Sequence, residues 1–287
     1  MQALDSKAMR DLWHIRTQVL AIALVIASGV AVLVMGLSTL AALERTTQDY
    51  YERYRFADVF ANVTRAPNHL AKRIRQIEGV ETVQTRISHG ATLDIQDFNE
   101  PAVGMFVSIP EDEQPRLNQV VLRSGRWVRF DRPDEVLVNE PFAEAHDLHP
   151  GDTLVAVLNG YRRKLEIVGI GLSPEFIYSL GPGFLVPDDK RFGVFWMGHT
   201  ALAGAFDLKG AFNDVSLSLR RGARSEPVIQ ELDQLLQRYG STGSIGRKDQ
   251  LSNWFLMNEM QQITTMSRIL PAIFLVIAAF LTHMLLG

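Results

Sequence analysis

The chain has 287 residues and a formal net charge of −3, so it carries no global basic field of the kind that attracts nucleic acid. It contains no cysteine, which excludes disulfides, thiolate-held metals and a cysteine nucleophile. Hydrophobic residues make up 47%, an ordinary globular share, but that figure averages two strongly apolar blocks near the ends with a polar middle.

Residues 1–18 come first. Leu4, Met9, Leu12, Trp13 and Ile15 give a loosely amphipathic pattern interspersed with Lys7, Arg10 and Arg16. A basic amphipathic segment carrying a Trp suits a helix lying on a membrane surface, and its cations favour a cytoplasmic N-terminus. Arg45, Arg53 and Arg55 on the far flank make the bare count a tie.

Residues 19–42, VLAIALVIASGVAVLVMGLSTLAA, hold no charged side chain. As a helix the block is about 36 Å long against roughly 30 Å of hydrocarbon, so it spans with some tilt. It is too long for a signal-peptide core, and Leu40-Ala41-Ala42 is a poor cleavage site. The hydroxyls of Ser28, Ser38 and Thr39 can bond back to helix carbonyls, and Gly29 and Gly36 suit close helix packing.

Residues 43–246 read as an extracytoplasmic α+β domain. Val59, Ala61 and Val63 mark a strand, and a helix is expected from Pro67, with Leu70, Ile74 and Ile77 on one face and Gly79 as its C-cap. VETVQTRI then gives a second strand. The same order recurs later: Val215, Leu217 and Leu219 alternate with Asp214, Ser216 and Ser218, and a helix follows with Val228, Leu232, Leu235 and Leu236 on one face and Gly240 at its end. Two strand–helix units around a long insertion predict a split β-α-β sheet with both helices on one face. The insertion, about residues 125–205, reads as a β-rich lobe. Glu135–Val138 is a short strand, and TLVAVL, Asn159-Gly160 and YRRKLEIVGI form a hairpin on a type I′ turn.

Within the insertion, His146, Asp147 and His149 resemble a partial metal set, but the Pro150-Gly151 turn accounts for them better. Asp188 and Asp189 read as a solvated turn. In SPEFIYSLGPGFLVP, Phe176, Ile177, Tyr178 and Phe184 either form a protein-contact patch or fold inward as core.

Residues 247–268 predict a stalk helix, with Leu251, Trp254, Phe255 and Met257 as its coupling residues, leading into a second span at 269–287. Pro271 is expected in the first turn of that span, where its missing N–H is harmless. His283 is the only ionisable side chain inside it. The abrupt end at Gly287 suggests a truncated second span.

No G-x-x-x-x-G-K-[ST], H-E-x-x-H or G-x-S-x-G motif occurs. The reading is therefore a non-enzymatic membrane protein with two transmembrane helices flanking an α+β domain, with no cofactor, metal or catalytic residue in this chain.

The segment RSGRWVRFDRPDEVLVNEPFAEAHDLHPGDTLVAVLNGYRRKLEIVGI (123–170) resembles the extracytoplasmic core domain of FtsX/MacB-like ABC transporter permeases. SPEFIY and PDDKRFGVFWM are similar to segments of large permeases with this module, and ILPAIFLVIAAFLTHMLLG is similar to the opening of the FtsX-type transmembrane domain. The resemblance implies a permease subunit in the inner membrane with its central domain periplasmic. It implies a separate ABC ATP-binding subunit, a homodimer or second permease half, a periplasmic adaptor, and work in export or lipid and lipoprotein handling. The alternative is an FtsX-like two-span sensor or assembly factor that activates an envelope enzyme. The cytoplasmic loop that would dock an ATPase is not among these residues.

Overall fold

The computed structural model describes residues 16–95, 98, 100–111 and 113–286. The expected surface helix of the N-terminal lead falls on residues outside this set. In chain order the elements are α1 (Arg16–Arg53), β1 (Val59–Pro67), α2 (Leu70–Ile74), β2 (Val80–Arg86), β3 (Ser88–Asp94), β4 (Ala102–Ile109), β5 (Val121–Gly125), β6 (Glu135–Asn139), α3 (Glu140–Ala145), β7 (Thr153–Leu158), β8 (Tyr161–Leu172), β9 (Phe192–Gly198), α4 (His199–Ala205), β10 (Ala211–Leu219), α5 (Ser225–Leu236), β11 (Ser244–Gly246) and α6 (Leu251–Leu286). They form two units: residues up to 49 together with those from 257 onward, and Tyr50–Leu256.

The first unit holds the apolar lengths of α1 and α6. Both helices are long and apolar enough to cross a membrane, and only 6% and 17% of their most apolar windows are buried within the chain. A core helix of a soluble protein would be covered. Here Leu24, Met35, Val276 and Phe280 stand exposed, an arrangement suited to lipid. The two helices touch at small residues: a Cβ added at Gly29 would lie 2.9 Å from the Phe274 Cβ, and one at Gly36 would run into Ser267. Ser28 Oγ donates to the Leu24 carbonyl at 2.8 Å, so its polarity is satisfied inside the helix. Pro271 is not in a first turn. It lies inside the continuous α6, because the helix begins at Leu251 and runs through the apolar boundary without a break. His283 lies on the exposed face of α6.

The second unit has two lobes. In the first, the sheet order is β11-β1-β10-β2, with every neighbouring pair antiparallel. β1 and β2 therefore run parallel with β10 between them, and β10 and β11 enclose β1: two interleaved split β-α-β units. Val59, Ala61, Val63, Val215 and Leu217 pack against Leu70, Ile74, Val228, Leu232 and Leu236 of α2 and α5. The apolar spacing from Leu70 to Ile77 is as expected, but the helix is short. Pro67 ends β1 instead of opening a helix, and after Ile74 the chain tightens through i−3 bonds, Gln76 N to Arg73 O and Ile77 N to Ile74 O. Gly79, at φ +90°, then turns the chain into β2.

In the second lobe the strands run β8-β6-β9-β4-β3-β7, and β7 pairs again with β8, closing a barrel; β5 adds alongside β8. The twelve-residue β8 makes closure possible. Its first half pairs with β7, and its second half lies between β6 and β5. Asn159 (φ 49°) and Gly160 (φ 83°) form the tight turn expected between β7 and β8. Phe106, Phe142, Phe195, Leu165 and Ile167 fill the core, with Phe106 stacked on Phe195 at 4.9 Å. The β-rich lobe is larger than the stretch 125–205, because β3 and β4 belong to it. Its parallel pair β4–β9 joins Val103 to Phe192, a pairing across so much sequence that no local pattern announces it.

Candidate coupling site

The alternation in β10 has a consequence its pattern conceals. Val215 and Leu217 face the helices as expected, yet Asp214 and Ser216 on the other face are buried as well. Buried polar groups need partners, and theirs assemble a network around the last turn of α1 and the first turn of α6.

Arg247, in the turn before α6, donates from Nε to the Ala57 carbonyl at 2.9 Å and from Nη2 to the Phe56 carbonyl at 2.6 Å. It also pairs with Asp58 at 2.7 Å and lies 5.2 Å from the centre of the Phe56 ring. Tyr51, near the end of α1, donates its hydroxyl to Asn253 Oδ1 at 3.0 Å, and Asn253 Nδ2 donates to the Arg247 carbonyl at 3.0 Å. The two helix ends are thus joined directly. Tyr51, Phe56, Phe60 and Leu117 form a buried apolar cluster beside these bonds.

The segment after β8 attaches to the same place. Gln250 Nε2 donates to the Glu175 carbonyl at 2.9 Å, and its Oε1 accepts the Asn253 N–H at 2.9 Å. Ser252 Oγ accepts the Tyr178 N–H at 2.9 Å. The Glu175 carboxylate turns the other way, into the sheet, where Arg86 Nη1 and Nη2 donate to it, each at 2.5 Å, while Arg86 Nε donates to Asp214 at 2.5 Å. Asn118 completes the group. Its Oδ1 accepts the Ala57 N–H at 2.8 Å, and its Nδ2 donates to Glu175 at 2.8 Å. Asn118 has φ 52°, a left-handed conformation that Asn tolerates better than most residues.

The electrostatics follow from burial. Burial works against the Arg86 charge, but Asp214 and Glu175 outweigh it and hold the guanidinium protonated. Burial pushes the Asp214 carboxyl up, against the pull of Arg86. The site offers hydrogen bonds, ion pairs and packing. Among the described residues no group of three or more His, Asp or Glu is placed to hold a metal. His146 Nε2 lies 2.8 Å from the Lys190 carbonyl, and Asp188 Oδ1 accepts the N–H groups of Lys190 and Arg191, so both segments serve turns.

The residues singled out in sequence fall on the border of this network. Phe176 is half-buried against Trp196 at 6.2 Å, and Phe184 packs on the same cluster. Ile177 packs with Tyr51 and Phe56. Tyr178 joins Ser252 through its backbone and lies 6.2 Å from Phe255. The apolar side chains their loop leaves in the open are Leu185 and Val186, 88% and 68% exposed. On α6, Leu251, Trp254 and Met257 are exposed and Phe255 is half-buried. The anchoring side chains are Arg247, Gln250, Ser252 and Asn253, which in sequence read as ordinary polar residues facing water. Their signal was indirect: Asp214 and Ser216 demand buried partners only once the second face of the sheet is known to be covered.

The family model of the MacB-like periplasmic core domain matches residues 18–235. No curated protein matches the chain. Among solved structures, the extracellular domain of the noncanonic ABC-type transporter YknZ from Gram-positive bacteria is 12% identical, with 66% of this chain and 98% of that one covered and a TM-score of 0.41. The periplasmic region of MacB from Actinobacillus actinomycetemcomitans is 11% identical, with 75% and 97% covered and a TM-score of 0.41.

Proposed function

The chain belongs to the MacB-like periplasmic core domain family and is a permease component of ABC-transporter type, in the inner membrane with its central domain periplasmic; from that premise we propose that it converts ATP-driven helix movement into movement of that domain. The ATP is hydrolysed by a separate ATP-binding subunit. The permease works as a homodimer or with a second permease half, and a periplasmic adaptor receives the motion. The work done is export, or handling of a lipid or lipoprotein.

One observation carries this reading. α6 runs unbroken from Leu251 to Leu286, and its first turn is hydrogen-bonded to the end of α1 and to the segment following β8. A regular helix resists axial compression, so displacement of its apolar length is delivered to that first turn. Leu251, Trp254, Phe255 and Met257 are the coupling residues of this lever, and Phe176, Ile177, Tyr178 and Phe184 form the packed surface that receives its motion. Exposed apolar residues of the same loop are offered to the periplasmic partner.

The test uses the absence of cysteine among these 287 residues. A single Leu185→Cys spin label in the full-length permease, reconstituted with its ATPase, reports the distance between copies before and after trapping with ATP. A flexible glycine linker inserted at Gln261 is expected to abolish the ATP-dependent distance change while ATP hydrolysis continues. An unchanged distance shift in the linker variant would contradict the lever.

A further inference from the structure

Arg86, Glu175 and Asp214 come from three separate places: β2, the turn after β8, and β10. Their side chains are only 8%, 9% and 11% exposed. One guanidinium therefore serves two carboxylates in a site with almost no water. With all three ionised the group carries one uncompensated negative charge. The other polar side chains at hand, Asn118, Ser216 and Gln250, are neutral. Among the described residues, the charged groups acting on Arg86 are Asp214 and Glu175, and those acting on Asp214 are Arg86 and Glu175. Among the described residues, Arg86 is the one cation acting on Asp214. Two carboxylates sharing one site resist ionising together, and a charge excess in a dry interior weakens whatever it sits in.

We propose that this triad is a proton-sensitive clasp: tight when one carboxylate carries a proton, loosened when both are charged. The clasp has a defined purchase. Glu175 is the bridge, because its carboxylate holds the four-stranded lobe through Arg86 while its carbonyl holds the start of α6 through Gln250. Loosening it frees the 173–179 segment from the sheet. The device concerns the domain itself and does not rest on the permease reading.

The sign follows from linkage. A carboxyl raised by burial binds a proton in the folded state that the unfolded chain has already lost. Stability therefore falls as pH rises from the ordinary carboxylate range through the raised value. The experiment is denaturant unfolding of the full chain in detergent, followed by tryptophan fluorescence, from the ordinary carboxylate range at about pH 4 up to about pH 8. The wild-type midpoint is expected to fall over that range. In Asp214→Asn, which keeps an acceptor for Arg86 Nε, the fall should shrink to about half or less, and the variant should match or exceed the wild type at the upper end. Glu175→Gln provides the second arm should the first variant fold poorly, with the same flattening expected. A wild-type midpoint indifferent to pH would overturn the proposal. So would single neutralisations that lower the midpoint equally at every pH, since the triad would then be a fixed ion pair.

Discussion

Two buried carboxylate sites in the periplasmic domain use the same residue types with opposite charge balance. In the barrel lobe, Glu135 is fully buried and receives two bonds from Arg126, at 2.6 and 2.7 Å, with Arg129 3.4 Å away. Both of those guanidinium groups keep about half their surface in water. Hydrogen bonding from Arg126 holds the Glu135 carboxyl below the usual range despite its burial. At the triad two carboxylates share one arginine that is itself buried, and burial drives Asp214 upward. The contrast shows that burial alone does not set the direction of a shift. Glu135 has two arginines within reach, whereas Asp214 and Glu175 share one.

The largest effect is expected from Arg86→Met, which leaves two buried carboxylates without a cation. It should cost about 3–5 kcal/mol of domain stability, read as a lowered denaturant midpoint, with part of the loss recovered by acidification. A loss under about 1 kcal/mol would mean that water reaches the site.

Next is Glu135→Gln, expected to cost about 1.5–3 kcal/mol through the lost charge-assisted bonds. Its pH signature should be the reverse of the triad's. A carboxyl held low contributes fully above the ordinary carboxylate range and loses that contribution as pH falls through its depressed value. The gap between wild type and Glu135→Gln should therefore close on acidification, whereas the gap between wild type and Asp214→Asn should close in the same direction only if the triad behaves like Glu135. Unfolding midpoints at several pH values distinguish the two sites.

Tyr51→Phe removes one hydrogen bond, to Asn253, and should cost about 0.5–1.5 kcal/mol while blunting any response of the domain to helix movement. Smallest is Arg123→Ala. Its pair with Glu140 is exposed, so the change in midpoint should lie within about 1 kcal/mol and serves as the control.

Much of this architecture was legible because it rests on local physics. The uncharged block from Val19, the alternation of Val215 and Leu217, the Asn159-Gly160 turn and the helical spacing of Val228, Leu232 and Leu236 each report their own element. What was not legible depends on distant pairing. β3, SHGATLD, carries no strong strand pattern and is held in place by β4 and β7. The candidate coupling site was hidden for the same reason. Arg86, Asn118, Glu175 and Asp214 are scattered polar residues until the fold covers the second face of the sheet. The aromatic residues of the 173–187 stretch drew attention by composition, whereas the backbone and polar side chains beside them make the bonds to α6.

The most direct test of the account weakens the attachment of the first turn of α6 to the domain without touching the apolar spans. Gln250→Ala with Asn253→Ala removes the side-chain bonds to Glu175, Tyr51 and the Arg247 carbonyl. In the reconstituted full-length permease, with the Leu185→Cys label, the double variant is predicted to hydrolyse ATP normally while the ATP-dependent distance change between copies is lost. A distance change as large as that of the parent protein would contradict coupling through this site.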